Sequence, residues 1–262
     1  MSETWFFDSH AHYDARRFRD DQAEVLAQMA PNGIRRIMNV GCDLASSHTS
    51  IGLAEQYDFI YASVGSHPDD AAAVDEARIE VYRQLAGHPK VRAIGEIGLD
   101  YYYEDVPRQQ QQAAFRMQLQ LAKELDLPVI IHQRDAYEDC LKIVDEFPGL
   151  RGVFHCFSGS VEYAKEVLKR GFYIGFTGVI TFKNARKAVE VAEYAPLHRL
   201  LIETDCPYMA PEPFRGRRCD STMLPKMAEK IAELRGLPTQ EIARITRENA
   251  MELFCIEREE PA

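Results

Sequence analysis

Short apolar runs alternate along this chain with longer stretches in which apolar residues recur every three or four positions. The short runs are Phe6–His10, Arg36–Val40, Ile60–Val64, Val91–Glu96, Val129–His132, Gly152–His155, Tyr173–Thr177 and Leu200–Glu203. Most are almost continuously apolar, the pattern of strands covered on both faces. The stretches between them read as helices. The clearest runs from Pro107 to Leu125, with Glu104 and Asp105 upstream, a proline in its first turn and Ala113, Ala114, Met117, Leu121 and Leu125 at helical spacing. Asp126-Leu127-Pro128 stops it. A second runs over Ser160–Lys169 and closes at Gly171, a C-capping glycine. After the eighth run come a long loop, Cys206–Thr222, and two terminal helices over 224–234 and 239–254. The charged tail Glu257–Pro261 is expected to fray.

Eight strands with intervening helices fit an α/β fold of the TIM (β/α)8 barrel type, and 262 residues make it a single domain, 1–262. A doubly wound open sheet is the alternative. Ligand-type side chains favour the barrel. His10 and His12, Glu96, His132, His155 and Asp205 fall at the C-terminal ends of the first, fourth, fifth, sixth and eighth runs. A barrel gathers those ends into one ring, whereas an open sheet spreads them along a line. No internal repeat, low-complexity segment or interdomain linker is visible.

Composition narrows the function. The formal net charge of -10 disfavours non-specific binding along nucleic acid, which draws its affinity from phosphate neutralisation. A nucleic-acid enzyme then needs a locally cationic site, which metals and arginines can supply. The six cysteines form no Cys-x-x-Cys pair, as expected of a reduced, cytoplasmic chain. The opening Met1–Thr4 has neither a positive n-region nor an apolar h-region, so no signal peptide is expected. No run is long and apolar enough to span a membrane, and a monomer is expected.

His10 and His12 are two apart on a strand and so point the same way. With Glu96, His132, His155 and Asp205 they can hold one or two divalent ions. Glu96 is the natural bridge, because one carboxylate has two oxygens to share. His10, His12 and Asp205 are assigned to one ion, and His132 and His155 to the other. Each histidine alone would read as an ordinary packing residue; six such residues at matching strand ends read as a metal-dependent hydrolase. His67, in Ser66-His67-Pro68 after the third run, is placed to contact substrate or to cap a loop. Arg134 can grip phosphate from the mouth of the site or pair with Asp135. Asp100-Tyr101-Tyr102-Tyr103 after the fourth run offers aromatic rings for stacking on bases, with Tyr101 the chosen contact, or for packing loops. Arg215, in Phe214–Arg218 after the eighth run, lies where barrels often dock phosphate; a solvated basic loop is the alternative. Cys42, Cys156 and Cys206 stand beside strand ends, as zinc-ligating thiolates or as small buried apolar residues, the second favoured.

Taken in order, several motifs resemble one family. They are Asp8-Ser9-His10-Ala11-His12, Gly65-Ser66-His67-Pro68, Gly95-Glu96-Ile97-Gly98-Leu99-Asp100-Tyr101, Pro128–Arg134 with its His132, His155-Cys156-Phe157-Ser158-Gly159, and Glu203-Thr204-Asp205-Cys206-Pro207-Tyr208. From about Phe7 to about Phe254 the chain resembles the TatD family of metal-dependent deoxyribonucleases, within the amidohydrolase superfamily. The resemblance implies a TIM barrel and 3′-to-5′ exonuclease cleavage of DNA with Mg²⁺ in the cell. It also implies metal-ligand roles for His10, His12, Glu96, His132, His155 and Asp205, and phosphate handling by His67. The imidazole-rich shell itself suits Zn²⁺, Mn²⁺ or Ni²⁺ better. The expected chemistry is attack on phosphorus by a metal-activated water, with Glu96, Asp205 and His67 as the catalytic groups and DNA ends as the substrate. A hydrolase of a small amide, ester or phosphoester is the alternative. Where the family reads Arg-Gly-x-x-Asn-Glu-Pro after the eighth strand, this chain has Arg215-Gly216-Arg217-Arg218-Cys219-Asp220-Ser221. Losing the proline is expected to free that loop.

Overall fold

The computed structural model describes residues 4–103 and 105–257. Eight strands form one parallel sheet in sequence order: β1 (Phe6–Ala11), β2 (Ile34–Val40), β3 (Ile60–Val64), β4 (Val91–Asp100), β5 (Val129–Arg134), β6 (Gly152–Phe154), β7 (Tyr173–Phe176) and β8 (Leu200–Ile202). The helices are α1 (Gln22–Ala27), α2 (Leu44–Gln56), α3 (Glu76–Ala86), α4 (Arg108–Leu125), α5 (Tyr137–Asp145), α6 (Val161–Lys169), α7 (Arg186–Tyr194), α8 (Leu224–Arg235) and α9 (Thr239–Leu253). This is a single-domain α/β TIM barrel. None of the described helices is long and apolar enough to cross a membrane.

Strand β4 runs on to Asp100 and β5 to Arg134, four and two residues beyond the ends expected from apolar content. The other strand ends agree within about two residues. Pro107 caps α4 from outside, and Ser160 caps α6 by accepting from the Tyr163 N–H. Gly171 follows α6 at φ 85, as a C-terminal glycine should. Expected features at Glu104 and in the tail from Arg258 lie outside the described residues.

Alternation along the strands sorts two cores. Ile94, Val129, Ile131, Phe154, Leu200 and Ile202 join the large cluster that also holds the helix faces. Phe7, Met38, Ala93, Ile130, Val153, Tyr173 and Leu201, one from each of seven strands, form a second cluster, closed by Met251, Leu253 and Phe254 at the end of α9. His132 follows Ile130 by two residues and His155 follows Val153 by two. Both imidazoles therefore stand on the same face as the inner cluster, one step nearer the C-terminal mouth.

The seam between β1 and β8 is the least ladder-like part of the barrel. An isolated bridge joins Ala11 to Cys206, with backbone bonds from His12 N–H to Cys206 O and from Asp205 N–H to His10 O. Side chains supply the rest. Buried Asp8 accepts from the Thr204 N–H and hydroxyl at 2.9 and 2.6 Å, and from the Ser221 hydroxyl at 2.6 Å. Ser221 stands where the family proline was expected. It is bonded to Asp8 and within 2.7 Å of the Tyr13 hydroxyl, so hydrogen bonds anchor the loop that the missing proline was expected to free.

Candidate metal centre

The six ligand-type residues converge at one mouth of the barrel. Glu96, buried at the centre, turns one oxygen to each side. Its Oε2 lies 3.5 Å from His10 Nε2 and 3.7 Å from His12 Nε2. Its Oε1 lies 2.9 Å from His132 Nδ1 and 2.7 Å from His155 Nε2. Asp205 Oδ1 completes the first group, 3.4 Å from His12 Nε2 and 3.8 Å from His10 Nε2. His10 and His155 stack at 4.0 Å between centroids.

The donor set fits cations. His12 Nδ1 lies 3.0 Å from the Val40 carbonyl, which can only accept, so Nδ1 carries a hydrogen. His12 Nε2 then faces His10 Nε2 at 2.9 Å, and only a proton or a cation can sit between them. His10 Nδ1 is buried without a hydrogen-bond partner. Burial, with the neighbouring His155 charge, lowers the His10 pKa to about 4, so this imidazole is neutral and available as a ligand. Burial works against ionised Glu96, but the surrounding imidazoles hold its pKa well below the usual range. Burial also lowers that of His132, yet hydrogen bonds to Asp100 and Glu96 prevail and raise it to about 9. Two groups have ligand atoms close enough to hold an ion on either side of Glu96: His10, His12 and Glu96, and Glu96, His132 and His155.

A pocket of about 700 Å³ opens over these residues, lined also by His67, Arg134, Cys42 and Cys156. His67 Nδ1 accepts the Asp69 N–H at 3.2 Å, which puts the ring hydrogen on Nε2, 3.8 Å from Glu96 Oε1. Arg134 does not pair with Asp135 here; its guanidinium lies over the Tyr102 ring at 3.7 Å and near Tyr103 at 5.1 Å. Cys42 Sγ is 3.4 Å from Glu96 Oε2, and burial pushes its thiol up to about 12. Cys206 is fully buried, the small apolar role.

Two expected substrate contacts are placed differently. Tyr101 is turned between α4 and α5, where its hydroxyl donates to Asp139 at 2.9 Å and accepts from Gln112 at 2.7 Å. Those partners draw the ring off the pocket, and the exposed rings of the run are Tyr102 and Tyr103. Arg215 lines a neighbouring groove with Arg17 and Arg217, its guanidinium 4.4 Å from the Phe182 ring. Tyr208 and Met209 line both hollows. Three buried carboxylates escaped the reading of strand ends. Asp100 lies 3.0 Å from His132 Nε2, Glu203 3.7 Å from His155 Nδ1, and Asp8 holds the seam. A period of two from Glu96 along β4 points to Asp100.

The family described as TatD related DNase matches residues 7–255. The chain is 46% identical over 252 residues to the uncharacterized metal-dependent hydrolase YabD of Bacillus subtilis, covering 95% of this chain and 99% of that protein. It is 34% identical over 259 residues to the 3′-5′ ssDNA/RNA exonuclease TatD of Salmonella typhimurium, covering 95% and 98%. The crystal structure of YjjV, a TatD homologue from Escherichia coli K12, superposes with a TM-score of 0.90 at 33% identity, covering 96% of this chain and 98% of that one. With the match running almost from end to end, the chain belongs to the TatD family of metal-dependent hydrolases.

Proposed function

We propose that this protein hydrolyses phosphodiester bonds at DNA ends, as a 3′-to-5′ exodeoxyribonuclease holding two divalent ions. The observation that carries the reading is Glu96, whose two oxygens face two separate imidazole groups. His10, His12 and Asp205 would hold one ion, His132 and His155 the other, with Glu96 between. Zn²⁺, Mn²⁺ and Ni²⁺ suit so many nitrogen donors better than Mg²⁺. Bound there, the ions would neutralise phosphoryl charge and bring the pKa of a water towards neutrality.

The chain's own groups do the rest. Asp205 accepts the proton of the attacking water. His67 donates Nε2–H towards the phosphoryl oxygens, and Arg134 offsets the charge that grows on them. Tyr102, Tyr103, Tyr208 and Met209, exposed at 56, 50, 51 and 40%, give unpaired bases apolar surface around the mouth. Arg17, Arg215 and Arg217 offer the adjoining groove to a following phosphate. The six free cysteines suit a reducing cytoplasm.

The test is a metal-reconstituted assay on 3′- and 5′-labelled single-stranded DNA, run beside small esters, amides and phosphoesters. Stepwise release of mononucleotides from the 3′ end is the expected result. Turnover of the small substrates with DNA left intact would assign the chain to the alternative, which its net charge of -10 also suits.

A further inference from the structure

We propose that Asp100 is a positioning residue: it holds His132 in the tautomer that the second cation requires and ties that imidazole to the tyrosine loop at the pocket rim. The inference rests on the two-cation reading above. Glu96 and Asp100 are four residues apart on β4, so their side chains leave the same face of the strand. Gly98, between them, stands in register with His132 on β5. His132 is thereby held between two carboxylates, with Nδ1 2.9 Å from Glu96 Oε1 and Nε2 3.0 Å from Asp100 Oδ2.

The two ring nitrogens have different work. Nδ1 faces His155 Nε2 at 3.3 Å as well as Glu96, so Nδ1 is the atom a shared cation would use. It binds only if its lone pair is free, which puts the ring hydrogen on Nε2. An ionised carboxylate only accepts, so Asp100 receives that hydrogen and excludes the other tautomer.

Asp100 is itself pinned. It is 2% exposed. Its Oδ1 accepts the backbone N–H groups of Tyr102 and Tyr103 at 2.9 and 3.4 Å. Gln111 of α4 clasps its backbone, accepting from the Asp100 N–H and donating to the Asp100 carbonyl, both at 2.9 Å. One carboxylate thus spends one oxygen on the rim loop, which carries the rings under Arg134, and the other on the imidazole.

This division predicts an unusual order of severity. In Asp100→Asn the single oxygen stays with the two backbone donors. The new amide N–H₂ then points at His132 Nε2 and demands a lone pair there, which moves the ring hydrogen to Nδ1. Asp100→Ala removes the acceptor but imposes no tautomer. The isosteric change should therefore harm the second cation more than truncation does, the reverse of a packing effect.

The experiment titrates metal-free wild type, Asp100→Asn and Asp100→Ala with Co²⁺, followed by visible absorption. The first ion should bind all three with equal affinity, which also shows that the variants are folded. The second should bind Asp100→Asn about 10–100-fold more weakly than wild type, and Asp100→Ala less weakly than that. At limiting metal, kcat of Asp100→Asn should fall and recover with excess ion, with KM unchanged. Equal second-ion affinity in all three proteins would overturn the proposal, as would Asp100→Ala being the worse variant. A third ion in wild type that Asp100→Asn loses would make Asp100 a ligand and overturn it too, because His67, Asp100 and His132 lie close enough to hold one. Uptake of a single ion by wild type would overturn the two-cation reading and this inference together.

Discussion

Asp205 uses one oxygen, Oδ1, to reach the imidazoles of both His10 and His12, which leaves Oδ2 for a proton. Burial raises its pKa, but the hydrogen bond to His12 and the charges of His12 and His155 more than offset this, so the carboxylate is ionised and ready to accept. On the proposed mechanism, Asp205→Asn keeps an oxygen for the cation and removes the base. It should lose roughly 10²–10⁴-fold in kcat, the usual range for a general base, with the metal content of wild type. Steady-state rates with metal assayed in each sample check this, and wild-type turnover would place the base elsewhere. The six ligand-type residues could be read from sequence because each ends an apolar run, a signal both local and periodic. Tyr101 could not. Three adjacent tyrosines look alike in sequence, and what separates them is Asp139 and Gln112, two polar partners on different helices that only the folded chain brings to one of the three.

At the scale of elements, β4 carries the most. The expected strand ended at Glu96, whereas β4 runs on through Gly98 to Asp100. In the barrel Gly98 keeps the strand going at φ 143, where a Cβ would run into the His132 carbonyl oxygen. Gly98 is what lets β4 press against β5, and Asp100 lies two residues beyond it on the same strand. Gly98→Ala should therefore cost stability twice, through a backbone conformation closed to L side chains and through overlap with β5, for roughly 2–5 kcal/mol in all. Urea unfolding measures the loss, and second-ion affinity should fall with it, because His132 is the residue displaced. A loss under about 0.5 kcal/mol, the level of an ordinary surface change, would show that the two strands can part freely. The bounds of α4 were legible almost to the residue, but its buried face of Ala114, Phe115, Gln118, Leu119, Leu121 and Ala122 is turned from the expected one, with Ala113 exposed and Met117 and Leu125 half-buried.

For the whole molecule, pH and metal act on stability with opposite sign. Without ions, burial raises the Glu203 carboxyl from 4.5 to about 7. A raised carboxyl keeps its proton in the folded state after the unfolded chain has released its own. This carboxyl's contribution is thus highest below 4.5 and falls as pH rises towards 7, by up to ~3 kcal/mol, opposed in part by His10, whose pKa is lowered to about 4. His132, at about 9 against 6.5, adds stability below 6.5 that is gone above 9. Glu96 and Asp205, held low, stabilise at any pH above the normal carboxylate range and do not vary in this window. Cations need deprotonated imidazoles, so their contribution grows with pH. The Tm gap between zinc-loaded and metal-free protein should widen from about pH 5.5 to about pH 8.5, and Glu203→Gln should flatten the metal-free slope between about pH 5 and about pH 7. A gap that narrows would reverse the linkage. The β1–β8 seam sets a schedule for the newborn chain. Asp8 waits through 196 residues of synthesis for Thr204, and His10 and His12 wait almost as long for Asp205. On the ribosome the first strand has β2 on one side and a bare edge on the other, and an ion that Asp205 would help to hold could not be fully caged until the eighth strand has left the exit tunnel. On the proposed reading, metal capture there would be a late event and would act as a latch between the barrel's first and eighth strands.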